Sequence, residues 1–185
     1  MTLSASTPKP ALTANARNNM DRYPSFPSPH STVPAGEFVG VILADEEYWL
    51  LQHRDDIDSI ANAGCMSVWG GKLEPEDSGD FVRGGMRELS EETDASLIGD
   101  ELHFLSDVIV YSENKNGAVV PKRIVSFLGF VASSDQIHVF EGQGKILLSR
   151  GNMDDWPDIP MVPGLLELLQ AAEQKYPKAA RNDRS

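Results

Sequence analysis

A chain of 185 residues is long enough to bury a sizeable core, and its apolar and charged fractions are those of an ordinary globular protein. A formal net charge of -12 excludes nonspecific attachment to nucleic acid or to an anionic membrane surface, because both need a basic patch. The single cysteine, Cys65, excludes an internal disulfide, and no apolar run is long enough to cross a bilayer, so the expectation is a soluble, cytoplasmic protein.

Residues 1–33 are rich in Ser, Thr, Pro, Ala and Asn without helical or strand period, which predicts a flexible N-terminal extension. Its Tyr23 and Phe26 offer docking groups for the domain or for a second copy in a homodimer. The folded domain is expected over 34–177, followed by a polar tail at 178–185. Within it, Glu37 to Ala44 and Tyr48 to Gln52 read as strands joined by an acidic Asp45-Glu46-Glu47 turn. Cys65 to Trp69 is an apolar run leading into Gly70-Gly71. A helix is expected from about Asp80, with Ser78 or Asp80 as N-cap and Leu89 facing the core. His103 to Tyr111 and Arg123 to Ala132 have strand composition and flank a polar loop at Ser112 to Gly117. Ile137 to Phe140 leads to Glu141-Gly142-Gln143-Gly144, Lys145 to Leu148 reads as a further strand, and Pro160 to Tyr176 reads as a closing helix with an apolar face of Leu165, Leu166, Leu168 and Leu169. Short strands around one central helix, closed by a second, predict an α+β fold in which helices sandwich a mixed sheet.

The most informative stretch is Gly70-Gly71-Lys72-Leu73-Glu74 followed by Arg87-Glu88-Leu89-Ser90-Glu91-Glu92. Residues three and four apart share a helix face, so Glu88, Glu91 and Glu92 crowd together at a cost of a few tenths of a kcal/mol per like-charged pair. A bound cation turns that penalty into attraction, and hard carboxylate oxygens suit Mg2+ or Mn2+. A solvated helix face with an ordinary Arg87–Glu91 pair is the plain alternative. The glycine turn directly upstream favours the metal reading, because glycine lets backbone approach a ligand closely. The four histidines, His30, His53, His103 and His138, show no metal-ligand spacing.

This pattern resembles the signature of the Nudix hydrolases: Gly, five residues, Glu, seven residues, Arg-Glu, an apolar residue, any residue, Glu-Glu, any residue, Gly, an apolar residue. With Gly71 aligned to the first glycine, Asp77 stands at the first glutamate, nine residues rather than seven separate it from Arg87, and Asp94 replaces the last glycine before Ala95. The resemblance implies a Nudix-like α/β/α sandwich and metal-dependent hydrolysis of a phosphoanhydride bond in a nucleoside diphosphate derivative, with Mg2+ or Mn2+ as cofactor. It makes Glu88 and Glu92 principal metal ligands and Glu91 a ligand or general base. The Gly71 carbonyl would supplement the ligands, Arg87 would orient the glutamates, and Glu74 would position the glycine loop. The family often adds an acidic residue from a distant loop. Glu141, in Glu-Gly-Gln-Gly, is the candidate ligand or base, against a turn glutamate in solvent.

Arg54 and Lys72 are candidates for touching substrate phosphate, each set against an ordinary surface residue. The proline associated with ADP-ribose hydrolases is missing beyond the signature. Tyr111 stands where dinucleoside polyphosphate hydrolases tend to carry a tyrosine, either to stack on a base or to pack on the core. A nucleotide, a nucleotide sugar and a dinucleoside polyphosphate all remain open as the small-molecule substrate. The alternative function is a catalytically weak Nudix-like nucleotide-binding module.

Overall fold

The computed structural model describes residues 33–113, 118–152 and 156–178. The predicted N-terminal extension, most of the polar loop after Ser112 and nearly all of the C-terminal tail therefore lie outside the described residues. The elements are β1 (Glu37–Ala44), β2 (Tyr48–His53), β3 (Met66–Ser67), a 3-10 turn (Pro75–Asp77), α1 (Phe81–Glu92), β4 (Leu97–Glu113), β5 (Val119–Val131), β6 (Gly144–Ser149) and α2 (Leu165–Lys175).

The six strands form one mixed sheet in the order β3-β2-β1-β5-β4, with β6 on the other side of β2. β1 runs parallel to β5 over its full length, and the other ladders are antiparallel. Successive side chains of a strand point to opposite faces, so β1 feeds two cores. Val39, Val41 and Leu43 pack with Leu89 of α1, Trp69, Val125 and Phe127. Ile42 and Ala44 pack with Leu165, Leu169 and Ala172 of α2, together with Trp49, Leu51 and Leu128. One helix on each face makes the expected α/β/α sandwich.

Several boundaries move, each for a local reason. β4 begins at Leu97 rather than near His103, because Gly99 and Asp100 take left-handed backbone within an irregular stretch, where the ladder shifts register between Leu97 and Leu102. β5 begins at Val119 because the hairpin with β4 extends beyond the end of β1. The Cys65 to Trp69 run divides: Met66–Ser67 pairs with β2, and Trp69 bridges Val41 of β1. α2 starts at Leu165, since Met161 lies in a parallel bridge with Met66, and Gly164 turns the chain at φ 85°, a conformation other residues resist.

The helix that carries the glutamates is fixed at both ends. Asp80, not Ser78, is its N-cap, with Oδ1 accepting from the Val82 and Arg83 N–H groups at 2.9 and 3.1 Å, a contact worth about 1 kcal/mol. Ser78 instead sits left-handed at the end of the 3-10 turn. At the C-terminal end the Thr93 N–H and hydroxyl both donate to the Leu89 carbonyl at 2.8 Å. Leu89 is buried, and Glu88 and Glu92, which flank it on the helix surface, meet the glycine loop.

Candidate active site

The glycine turn reaches the helix because residues 69–73 run antiparallel to the first half of β1. The Trp69 N–H donates to the Val41 carbonyl, the Val39 N–H to the Gly71 carbonyl at 2.9 Å, and the Leu73 N–H to the Glu37 carbonyl. Alternation along this ladder leaves Gly70 facing away from β1, and its N–H donates to Glu92 Oε2 at 2.8 Å. Gly70 adopts φ 126°, and a side chain there would strike the Val39 carbonyl. The Gly71 carbonyl, expected to supplement the metal ligands, accepts from the Val39 N–H in the ladder. Gly71 acts through its missing side chain: a Cβ there would lie 2.7 Å from Glu88 Oε1.

Glu92 is almost completely buried, a rare place for a carboxylate. Its second oxygen accepts from Gln52 Nε2 at 3.1 Å, a partner on β2 that the sequence did not signal. Burial pushes the Glu92 acid up to about 7; the Gly70 and Gln52 hydrogen bonds oppose the rise, while the charges of Glu88 and Glu141 add to it. Burial also raises Glu88, against the pull of Arg87. Glu91 projects further into solvent.

Arg87 organises the turn. Its guanidinium makes a two-point contact with Asp77, Nε to Oδ1 at 3.2 Å and Nη2 to Oδ2 at 3.0 Å, and it also donates to Glu91 and to the Lys72 carbonyl. Glu88 Oε1 completes the set at 3.0 Å from Nη2. A planar fork suits such a cluster, and lysine could not replace it. Asp77 is buried, and its Oδ2 also accepts from the Glu74 N–H at 2.9 Å. Asp77, rather than Glu74, therefore ties the loop to the helix. Its distance of six residues from Gly71 was the available signal, despite the two-residue insertion after it.

Glu141 joins from the far end of the chain. The Phe140 N–H donates to the Glu92 carbonyl at 2.8 Å, the Gln143 N–H to the His53 carbonyl at 2.9 Å, and Gln143 Nε2 to the Arg54 carbonyl at 3.0 Å. The loop is thus pinned between the end of α1 and the end of β2, and the charge of Glu141 is felt at Glu92.

The remaining candidates are more dispersed. The Arg54 side chain donates to the Ala61 carbonyl at 3.2 Å, closing its own loop. Lys72 is exposed, and with Glu74, Glu37 and Pro34 it lines a surface cavity of about 560 Å3. Tyr111 pairs with Pro121 near the hairpin end, where the Pro121 carbonyl accepts from Ala35. That is two strands across from β1 and four to six residues before Val39 and Val41, roughly 20 Å from the glycine turn by strand spacing and rise. Tyr111 and the carboxylates do not converge. Cys65 is half-buried, and burial pushes its thiol up, which fits a packing role.

Several solved structures with this architecture bear Nudix names. The Nudix domain of Shewanella oneidensis NrtR, complexed with ADP ribose, superposes with a TM-score of 0.58 at 15% identity over 88% of this chain and 99% of its own. The chain has the Nudix fold. The MutT protein from Methanosarcina mazei gives a TM-score of 0.59 at 18% identity over 77% of this chain and 95% of its own. A Nudix hydrolase from Nitrosomonas europaea gives 0.56 at 18% identity over 77% and 90%. No protein-family model matches the sequence, and no curated protein matches it. At these identities the likeness is one of fold.

The Nudix fold places Glu88 and Glu92 on the face of α1 that meets the glycine turn, with Glu141 pinned alongside. Among the described residues no three acidic, histidine or cysteine side chains close into a metal cage, since Arg87 draws Glu91 and Glu88 towards itself. The donor set nonetheless fits a hard divalent cation: burial raises the Glu88 and Glu92 acids, the charge of Glu88 adds to the rise at Glu92, and a cation removes that cost. No helix among the described residues is long and apolar enough to cross a membrane.

Proposed function

We propose that this protein is a divalent-metal-dependent hydrolase that cleaves a phosphoanhydride bond in a nucleoside diphosphate derivative. The observation that carries this reading is the buried Glu92 held by the Gly70 N–H beside Glu88 and within the field of Glu141. Glu88, Glu92 and Glu141 would hold Mg2+ or Mn2+, which when bound supplies neutralisation of phosphate oxygens and acidification of water. The chain itself supplies position and a proton acceptor. Gln52 and Gly70 fix both oxygens of Glu92, and Arg87 fixes Glu88 and Glu91 while Asp77 fixes Arg87. Glu91 is turned to Arg87, so we assign proton removal from the attacking water to Glu141, which is exposed to solvent and close enough for its charge to reach Glu92.

The ADP ribose bound by the Shewanella NrtR Nudix domain makes a small nucleotide ligand the natural substrate class, with Lys72, next to Gly71, and Arg54, two residues after Gln52, as candidates for touching its phosphates. A binding module without turnover is the second reading, favoured by the ion pairs that engage Glu88 and Glu91 with Arg87. A panel of nucleoside diphosphate derivatives incubated with Mg2+ or Mn2+, with phosphate counted after phosphatase coupling, separates the two. Turnover that stops in excess chelator is the expected result. Turnover that continues in chelator would remove the metal from the reading, and binding without turnover would establish the module.

A further inference from the structure

At the end of α1, where the Nudix signature has glycine, this chain has Asp94, and the side chain makes contacts that glycine cannot. Oδ1 accepts the His138 backbone N–H at 2.7 Å, and Oδ2 lies 2.8 Å from His138 Nδ1. The Asp94 N–H donates to the His138 carbonyl at 3.2 Å. One residue back along the helix, Thr93 bridges Val139, and one further back the Glu92 carbonyl accepts from Phe140. Residues 92–94 and 138–140 therefore run as a short antiparallel ladder with Asp94–His138 as its outer clamp. Glu141 is the next residue.

We propose that Asp94 is a positioning residue: by gripping His138 at two atoms it sets the register of 138–140 against the end of α1 and so fixes Glu141 beside Glu92. The role rests on the hydrolase reading above. Both Asp94 and the His138 ring are exposed, so their contacts contribute little to global stability. Their effect lies in register, because without them 138–140 keeps two backbone contacts, one at each end of the ladder, and Gly142 follows Glu141. The signature's glycine would make only the weakest of the three contacts.

The test compares Asp94→Ala and Asp94→Asn in the full chain. Asp94→Ala is expected to lower kcat about 10- to 100-fold, the scale of a misplaced reacting group, and to leave KM within about twofold. Its melting temperature should stay near that of the parent, while amide exchange at Phe140 speeds about tenfold and exchange in β1 does not change. Asp94→Asn should recover most of the loss, because its carbonyl accepts the His138 N–H and its amide can donate to a neutral imidazole. Parental kcat or parental Phe140 exchange in Asp94→Ala would overturn the assignment, as would an Asn variant as impaired as the Ala variant. If the parent protein turns over no nucleoside diphosphate derivative, the hydrolase reading fails separately. Phe140 exchange and Mn2+ affinity, which should fall in Asp94→Ala if Glu141 leaves its place, then decide the clamp: parental values in both would overturn it.

Discussion

Replacing Glu92 with Gln should stabilise the metal-free protein at alkaline pH while abolishing hydrolysis. The magnitude follows from the structure. Burial beside Glu88 and Glu141 raises the Glu92 acid from its ordinary 4.5 to about 7. At 1.36 kcal/mol per tenfold change in acidity, the ionised side chain costs the folded state about 3 kcal/mol relative to the unfolded chain. Because the folded value is the higher one, the neutral form's advantage is complete below about pH 4.5 and is lost as pH rises through 7. Glutamine keeps the shape: its carbonyl can accept the Gly70 N–H, and a flipped Gln52 amide can accept from its NH2. What disappears is the charge.

Thermal melts of parent and Glu92→Gln in chelator between pH 4.5 and 8.5 measure the effect. At pH 8 the variant should melt about 6 to 10 °C higher, the size of shift expected for about 3 kcal/mol in a domain of this length. Its advantage should shrink towards zero near pH 4.5. Adding Mn2+ should raise the melting temperature of the parent and leave that of the variant nearly unchanged, since binding to the native state alone stabilises it. A Glu92→Gln protein that melts lower than the parent at pH 8 in chelator, or an advantage independent of pH, would refute the argument that ionised Glu92 is strained without a cation.

Asp77→Asn weakens the two-point contact with Arg87, and turnover should fall at least about tenfold, because Arg87 no longer fixes Glu88. Arg87 and the Glu74 N–H hold the Asp77 carboxyl below its ordinary 3.8, so its contribution to stability is present above that value and lost as pH falls through the lowered one. Melts of Asp77→Asn between pH 2 and 6 should accordingly show a shallower acid limb than the parent. Removing residues 1–32 should leave melting temperature and turnover unchanged, since their composition offers too little apolar surface to offset ordering; lost turnover in a folded truncation would place the extension in the substrate pocket.

Some of this protein is local and therefore legible in one dimension. Helical spacing alone puts Glu88, Glu91 and Glu92 on neighbouring surface positions, strand alternation supplies β1 with two apolar faces, and Asp80 announces the start of α1. The closing helix was readable but began too early, because a run of apolar residues does not reveal that Met161 would be taken as a strand partner by Met66. What the tertiary structure decided is which contacts join distant elements. Gln52 meets Glu92 across forty positions because the end of β2 pairs with Ser67, three residues before Gly70, and Glu141 enters because 138–140 docks on the end of α1. Gly70 meets Glu92 through its N–H while the Gly71 carbonyl joins the ladder, since the direction of each peptide group depends on which edge pairs with β1. Tyr111 is separated from the carboxylates by two strands of a sheet whose order the sequence does not state. Burial is the deepest of these decisions: Glu92 is placed where water is excluded and the charges of Glu88 and Glu141 reach it, so its acid is pushed up to about 7.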